Sequence, residues 1–96
     1  MNNYKIKPTK LFIRKYKKLI RQNSDLKLKI NILLKQLCID PFFITFKTHK
    51  FHSDKLGELY TSRINGDLRL VWCFSKENNL IIAIDIGGHS GKNSVY

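Results

Sequence analysis

Acid is scarce in this chain. Seven Asp and Glu stand against eighteen Lys and Arg in 96 residues, a formal net charge of +11. An unrelieved field of that sign repels itself, speeds the approach of anions and binds nucleic acid non-specifically. Cysteine is also scarce. Cys38 and Cys73 each sit in an apolar run, as buried free thiols in a reducing cytoplasm would, which leaves a disulfide framework unsupported. Long apolar runs are missing: the longest, Leu80 to Ile86, is broken by Asp85. Neither a signal peptide nor a membrane span is expected, and the chain reads as soluble and cytoplasmic. A metal site is not expected either. His49 and His52 lie three apart in a segment that reads as loop or strand, and no cysteine or carboxylate set completes them. Gly87 to Ser94 imitates a P-loop but has the wrong glycine spacing, Asn93 after Lys92, and no chain left for the phosphate-binding helix. No cofactor is implied.

What is present is a core and a strong charge asymmetry. The apolar fraction of 43% suits a globular chain, and 96 residues make one domain spanning 1–96. Residues 1–48 carry twelve basic and two acidic side chains, residues 49–96 six and five. Lys5 to Arg21 holds eight basic residues and no acid. A solvated helix face, a polyanion and an acidic protein partner would each account for that stretch.

The pattern predicts an α+β fold. Tyr4 to Lys7 reads as a short strand ending at Pro8. Thr9 is placed to cap a helix through about Gln22, with Phe12, Tyr16, Leu19 and Ile20 on one face. Ser24 is expected to cap a second helix whose apolar stripe is Leu26, Ile30, Leu33, Leu34 and Leu37, and Pro41 bars its continuation. The short link makes the pair an antiparallel hairpin. Strands are expected over Glu58 to Ile64, Asp67 to Phe74 and Leu80 to Ile86, with Ile44 to Phe51 ambiguous between loop and edge strand. The result is a helical hairpin packed on a curved, mainly antiparallel sheet of about four strands.

Asn65-Gly66 is a strong two-residue hairpin signal. That turn would pair Ile64 with Asp67 and Ser62 with Arg69. Alternation then puts Tyr60, Ser62, Asp67, Arg69, Val71 and Cys73 on one face, and Leu59, Thr61, Arg63, Leu68, Leu70, Trp72 and Phe74 against the helices. Arg69 would project from the open face, and Arg63 would snorkel to the rim or pair with an acid. His89 follows the last strand after two glycines. Histidine exchanges protons near neutrality, and arginine matches a phosphate with a permanently charged fork. RNA can be cut without metal when the 2′-hydroxyl attacks the adjacent phosphate, given a base, an acid and cations around the phosphorane.

Two segments together resemble the RelE/ParE superfamily of bacterial toxins from type II toxin–antitoxin systems. One is Tyr60-Thr61-Ser62-Arg63-Ile64-Asn65-Gly66-Asp67-Leu68-Arg69-Leu70-Val71-Trp72. The other is the ending Asp85-Ile86-Gly87-Gly88-His89 through Val95-Tyr96. The resemblance covers essentially the whole chain. It implies an mRNA interferase, a metal-independent endoribonuclease cleaving mRNA on the ribosome, held in check by a cognate antitoxin with an acidic or amphipathic segment. It assigns catalysis to His89, Arg69, His49 and Tyr96; from the hairpin and the tail, Arg63, Lys50 and Lys92 are expected to hold RNA phosphates. The departures are Tyr60 and Ser62, where some members carry paired lysines, and a longer interval from His89 to Tyr96. Two alternatives stay open: a gyrase-inhibiting toxin of the ParE branch without nuclease activity, and a non-catalytic basic module that binds nucleic acid.

Overall fold

The structure, a computed structural model, describes residues 4–43, 47–75 and 79–88. Strand β1 (Lys5–Pro8) leads into helices α1 (Lys10–Gln22) and α2 (Asp25–Ile39). Four strands follow: β2 (His49–Ser53), β3 (Gly57–Arg63), β4 (Leu68–Phe74) and β5 (Leu80–Gly88). They form one five-stranded sheet in the order β1-β5-β4-β3-β2, antiparallel except where β1 runs parallel to β5. The ambiguous segment thus supplies an edge strand, and the N-terminal strand the other edge. β5, apolar on both faces, lies between β1 and β4.

Local chemistry explains the helix ends. The Thr9 hydroxyl accepts the Phe12 amide at 3.1 Å, the expected cap, and donates to the Ile84 carbonyl at 2.8 Å. One side chain therefore starts α1 and ties it to β5, 75 residues away. Ser24 does not cap α2. It is already helical (φ −65°, ψ −24°), and the amide of Asp25 is taken instead by Asn23 Oδ1 at 3.1 Å. Pro41, just beyond α2, is buried.

Both helices cover one face of the sheet. Phe12, Leu26, Ile30, Leu33 and Leu37 meet Leu70, Trp72, Ile81, Ala83 and Ile86 in a single core. At its edge Tyr60 stacks on Trp72 with ring centroids 4.7 Å apart, and Phe42 and Phe74 close around them. β5 carries a bulge: Val71 faces Asp85 but Trp72 faces Ala83, which leaves Ile84 as the extra residue. Beside it the Asp85 carboxylate meets Lys15 of α1 at 2.8 Å.

The β3–β4 register differs from expectation by one residue. Arg63 pairs with Arg69, Ser62 with Leu70 and Tyr60 with Trp72. Neither Asn65 nor Gly66 has the positive φ of a type I′ turn. Instead Asn65 Oδ1 accepts the amides of both Asp67 (2.9 Å) and Leu68 (2.8 Å), and the Ile64 amide bonds the Leu68 carbonyl at 2.9 Å. A wider loop results, closed by the asparagine side chain. One slip inverts a strand, so β3 presents Tyr60 and Ser62 to the helices and Thr61 and Arg63 to the far face. The faces of β4 are as expected.

Candidate active site

The slipped register makes the site. Arg63 and Arg69 are direct cross-strand partners on the face away from the helices, where β-carbons lie about 4.5–5.5 Å apart. Arg63 is not a misfit on the packed side; it doubles the charge of Arg69. Like charges directly opposite repel. Here both are held on one atom. Arg63 Nε donates to the Asn65 carbonyl at 3.2 Å, and Arg69 Nη1 to the same oxygen at 2.9 Å and to the Leu68 carbonyl at 3.1 Å. Each guanidinium has five donors, so capacity for a phosphate is retained. The turn that sets the register thus also aims the two forks.

His49 shares this face. It pairs with Thr61, one two-residue step along β3 from Arg63, which makes it a diagonal neighbour of that arginine, about 7–8 Å away. Its imidazole is exposed. On the other side Arg69 pairs with Gly87 and Leu68 with Gly88, where the described chain ends beside the arginines. His89, Lys92 and Tyr96 lie outside the described residues. From β3 to β5 the row Arg63–Arg69–Gly87 spans about 10 Å. Thr61 and Val71, in the next row, are buried.

Lys50 does not join this group. Alternation turns it to the helix side, opposite Tyr60, where it meets Glu58 at 3.1 Å. Its hydrogen bond to the Glu58 carboxylate, with the attraction of that charge, raises its pKa above the ordinary lysine value. Both partners are exposed, so the pair contributes little to stability.

Two features escape a reading of the sequence. The first is a chain of hydroxyls behind His49, buried at Ser62 and half-buried at Thr48. Trp72 Nε1 donates to Ser62 Oγ at 2.8 Å, Ser62 Oγ and Thr48 Oγ1 are 2.7 Å apart, and Thr48 Oγ1 donates to the Pro41 carbonyl at 3.1 Å. Because Thr48 spends its proton on Pro41, Ser62 donates to Thr48, and every group is satisfied. The residue before His49 is thereby fixed to the sheet. An indole on the packed face needs an acceptor, and that was the available signal. The second feature is a cleft of about 920 Å3 between α1 and the hairpin turn, lined by Arg14, Lys18, Arg21, Asn65, Leu68 and Gly88 among others. Arg14, Lys18 and Arg21 follow i, i+4, i+7, so part of the basic stretch is one cationic wall facing the hairpin turn at Asn65. Among the described residues no group of three or more His, Cys, Asp or Glu gathers. Cys38 and Cys73 are free thiols, and burial raises the pKa of each.

No protein-family model matches the sequence, and no curated relative is found. Solved structures do match. The YoeB/ParE toxin from Agrobacterium tumefaciens superposes with a TM-score of 0.76 at 21% identity, over 90% of this chain and 99% of that one. The chain has the RelE/ParE fold. The YoeB dimer from Staphylococcus aureus matches at 0.71 and 26% identity, over 86% of this chain and 93% of that chain. A chain of the E. coli DinJ-YafQ complex matches at 0.70 and 19% identity, over 90% of this chain and 93% of that one. On this RelE/ParE scaffold the helices take one face, leaving the hairpin arginines and His49 on the other. No described helix is long and apolar enough to cross a membrane.

Proposed function

We propose that the chain is the toxin of a type II toxin–antitoxin pair and a metal-independent endoribonuclease that cleaves mRNA on the ribosome. The observation that carries this reading is the Arg63–Arg69 pair, two guanidinium forks anchored on the Asn65 carbonyl with a histidine on the same face. Fixed cations aimed at one spot stabilise charge that develops on a phosphorane. In the proposed reaction the 2′-hydroxyl oxygen attacks phosphorus and the 5′ oxygen departs. One histidine takes the 2′ proton and the other returns a proton to the leaving oxygen, His49 and His89 forming the pair. Arg69 stabilises the phosphorane and Arg63 holds a non-bridging oxygen. Lys92 contacts a flanking phosphate, and Tyr96 stacks a base or assists proton transfer. Lys50, across the sheet, takes no part.

The partner is an antitoxin with an acidic, amphipathic segment. Support comes from the charge of +11 and from a structural neighbour, the E. coli DinJ-YafQ toxin-antitoxin complex. The deciding experiment is primer extension on mRNA after brief induction of the wild type and of Arg69→Ala, His49→Ala and His89→Ala. New ends with the wild type, reduced about a hundredfold or more by Arg69→Ala, are expected. Growth arrest with intact mRNA would reject the nuclease, and a supercoiling assay would then test gyrase.

A further inference from the structure

Helix α2 is apolar on two opposite sides. Leu26, Ile30, Leu33 and Leu37 are buried in the core. Leu28, Ile32 and Ile39 remain 66%, 56% and 51% exposed. At 100° per residue these three fall with Lys35 inside an arc about 60° wide, and the line from Leu28 to Ile39 is about 16 Å long. A solvated helix face would be polar there. Lys27 and Lys29 are also exposed, and Asp25 is the one acid within α2. The arginine pair lies on the opposite side of the sheet.

We infer that the outer face of α2 is a docking seat for an acidic amphipathic helix, separate from the arginine site. A second copy of this chain is disfavoured as occupant because each copy brings eleven net positive charges, with Lys35 inside the seam. An acidic helix places leucines against Leu28, Ile32 and Ile39 and carboxylates against Lys29 and Lys35. The inference rests on the antitoxin reading only for the partner's biological identity; the seat follows from exposure and charge. A partner that fills both this seat and the arginine site gains affinity by linkage, so binding and silencing become separable.

The test titrates the full chain with a synthetic 18-residue helix bearing leucines at i, i+4, i+7 and i+11 and glutamates elsewhere. The same helix with lysines serves as control. The glutamate peptide binds and the lysine peptide does not. Leu28→Ser/Ile32→Ser weakens binding by about thirtyfold or more, the effect of losing two partly buried apolar contacts, and Lys35→Glu weakens it several-fold. Cleavage of RNA is unchanged in the double-serine variant, so failure of the nuclease reading would appear in the wild-type assay and leave the titration intact. The inference is overturned by an absence of binding, or by full binding to the double-serine variant with loss in Arg14→Ala/Lys18→Ala instead. It is equally overturned if anionic vesicles, and not the peptide, are captured through Leu28 and Ile32.

Discussion

Replacing Ser62 by alanine removes one oxygen and reveals how the sheet is pinned to the loop before β2. Ser62 and Trp72 are fully buried, and the serine hydroxyl is the acceptor for Trp72 Nε1 and the donor to Thr48. Without it the indole N–H stays buried and unpaired, which costs about 1–3 kcal/mol. Thr48 keeps the Pro41 carbonyl, so its loss is one ordinary hydrogen bond of about 0.5–1.5 kcal/mol. The sum is about 1.5–4.5 kcal/mol, a large share of what a small domain has. In a chain of 96 residues this lowers Tm by roughly 10–25 °C. Urea unfolding followed by circular dichroism should show a lower midpoint with an unchanged slope. The Trp72→Phe background supplies the control. With the donor gone, Ser62→Ala should cost about 1–2 kcal/mol less there than in the wild type. A change under about 0.5 kcal/mol in the single variant, or equal costs in both backgrounds, would refute the hydroxyl chain as a source of stability.

Three further outcomes follow. Thr9→Ala loses both the α1 cap and the tie to Ile84, at a cost of about 1–2 kcal/mol by thermal melt, while Thr9→Ser keeps most of it. A single-stranded oligonucleotide lacking 2′-hydroxyls should bind without being cut, and Arg69→Ala should reduce the slope of log affinity against log salt by about 0.7, one phosphate contact, in anisotropy titrations. Burial raises the pKa of Cys38 and Cys73, so less thiolate is present at pH 8 than in a free cysteine. Iodoacetamide should therefore label both more slowly than free cysteine and keep accelerating above the ordinary thiol pKa.

Element order and type were legible because they rest on period and punctuation: Thr9 before an amphipathic run, Pro41 after another, and an unbroken apolar strand at β5. The hairpin register was not. Asn65-Gly66 reads locally as a tight turn, whereas the observed pairing is set by the Asn65 side chain and by Trp72 reaching Ser62 across the strands. Neither contact has a sequence period. The error carried to the site, since the register alone decides whether Arg63 faces the core or stands beside Arg69. His49 could be named from sequence but not placed, because its face depends on the pairing of β2 with β3. Lys50, its neighbour, illustrates the converse: one residue along a strand is the other side of a sheet.

The parallel pairing of β1 with β5 has a consequence for the order in which the protein is made. Thr9 and Ile84 are joined across 75 residues. At about 5–20 residues per second, synthesis of that interval takes roughly 4–15 s. For the last roughly 2–8 s of it, from Ile39 to Leu80, the segments of both helices have been made and β5, against which α1 and α2 complete their core, has not. Closing so long a loop comes late, because its entropy is lost before any sheet contact repays it. The chain therefore emerges with the two apolar sides of α2 bare. On the inference that α2 is a docking seat, a partner would find that helix before Arg69 and Gly87 have come together.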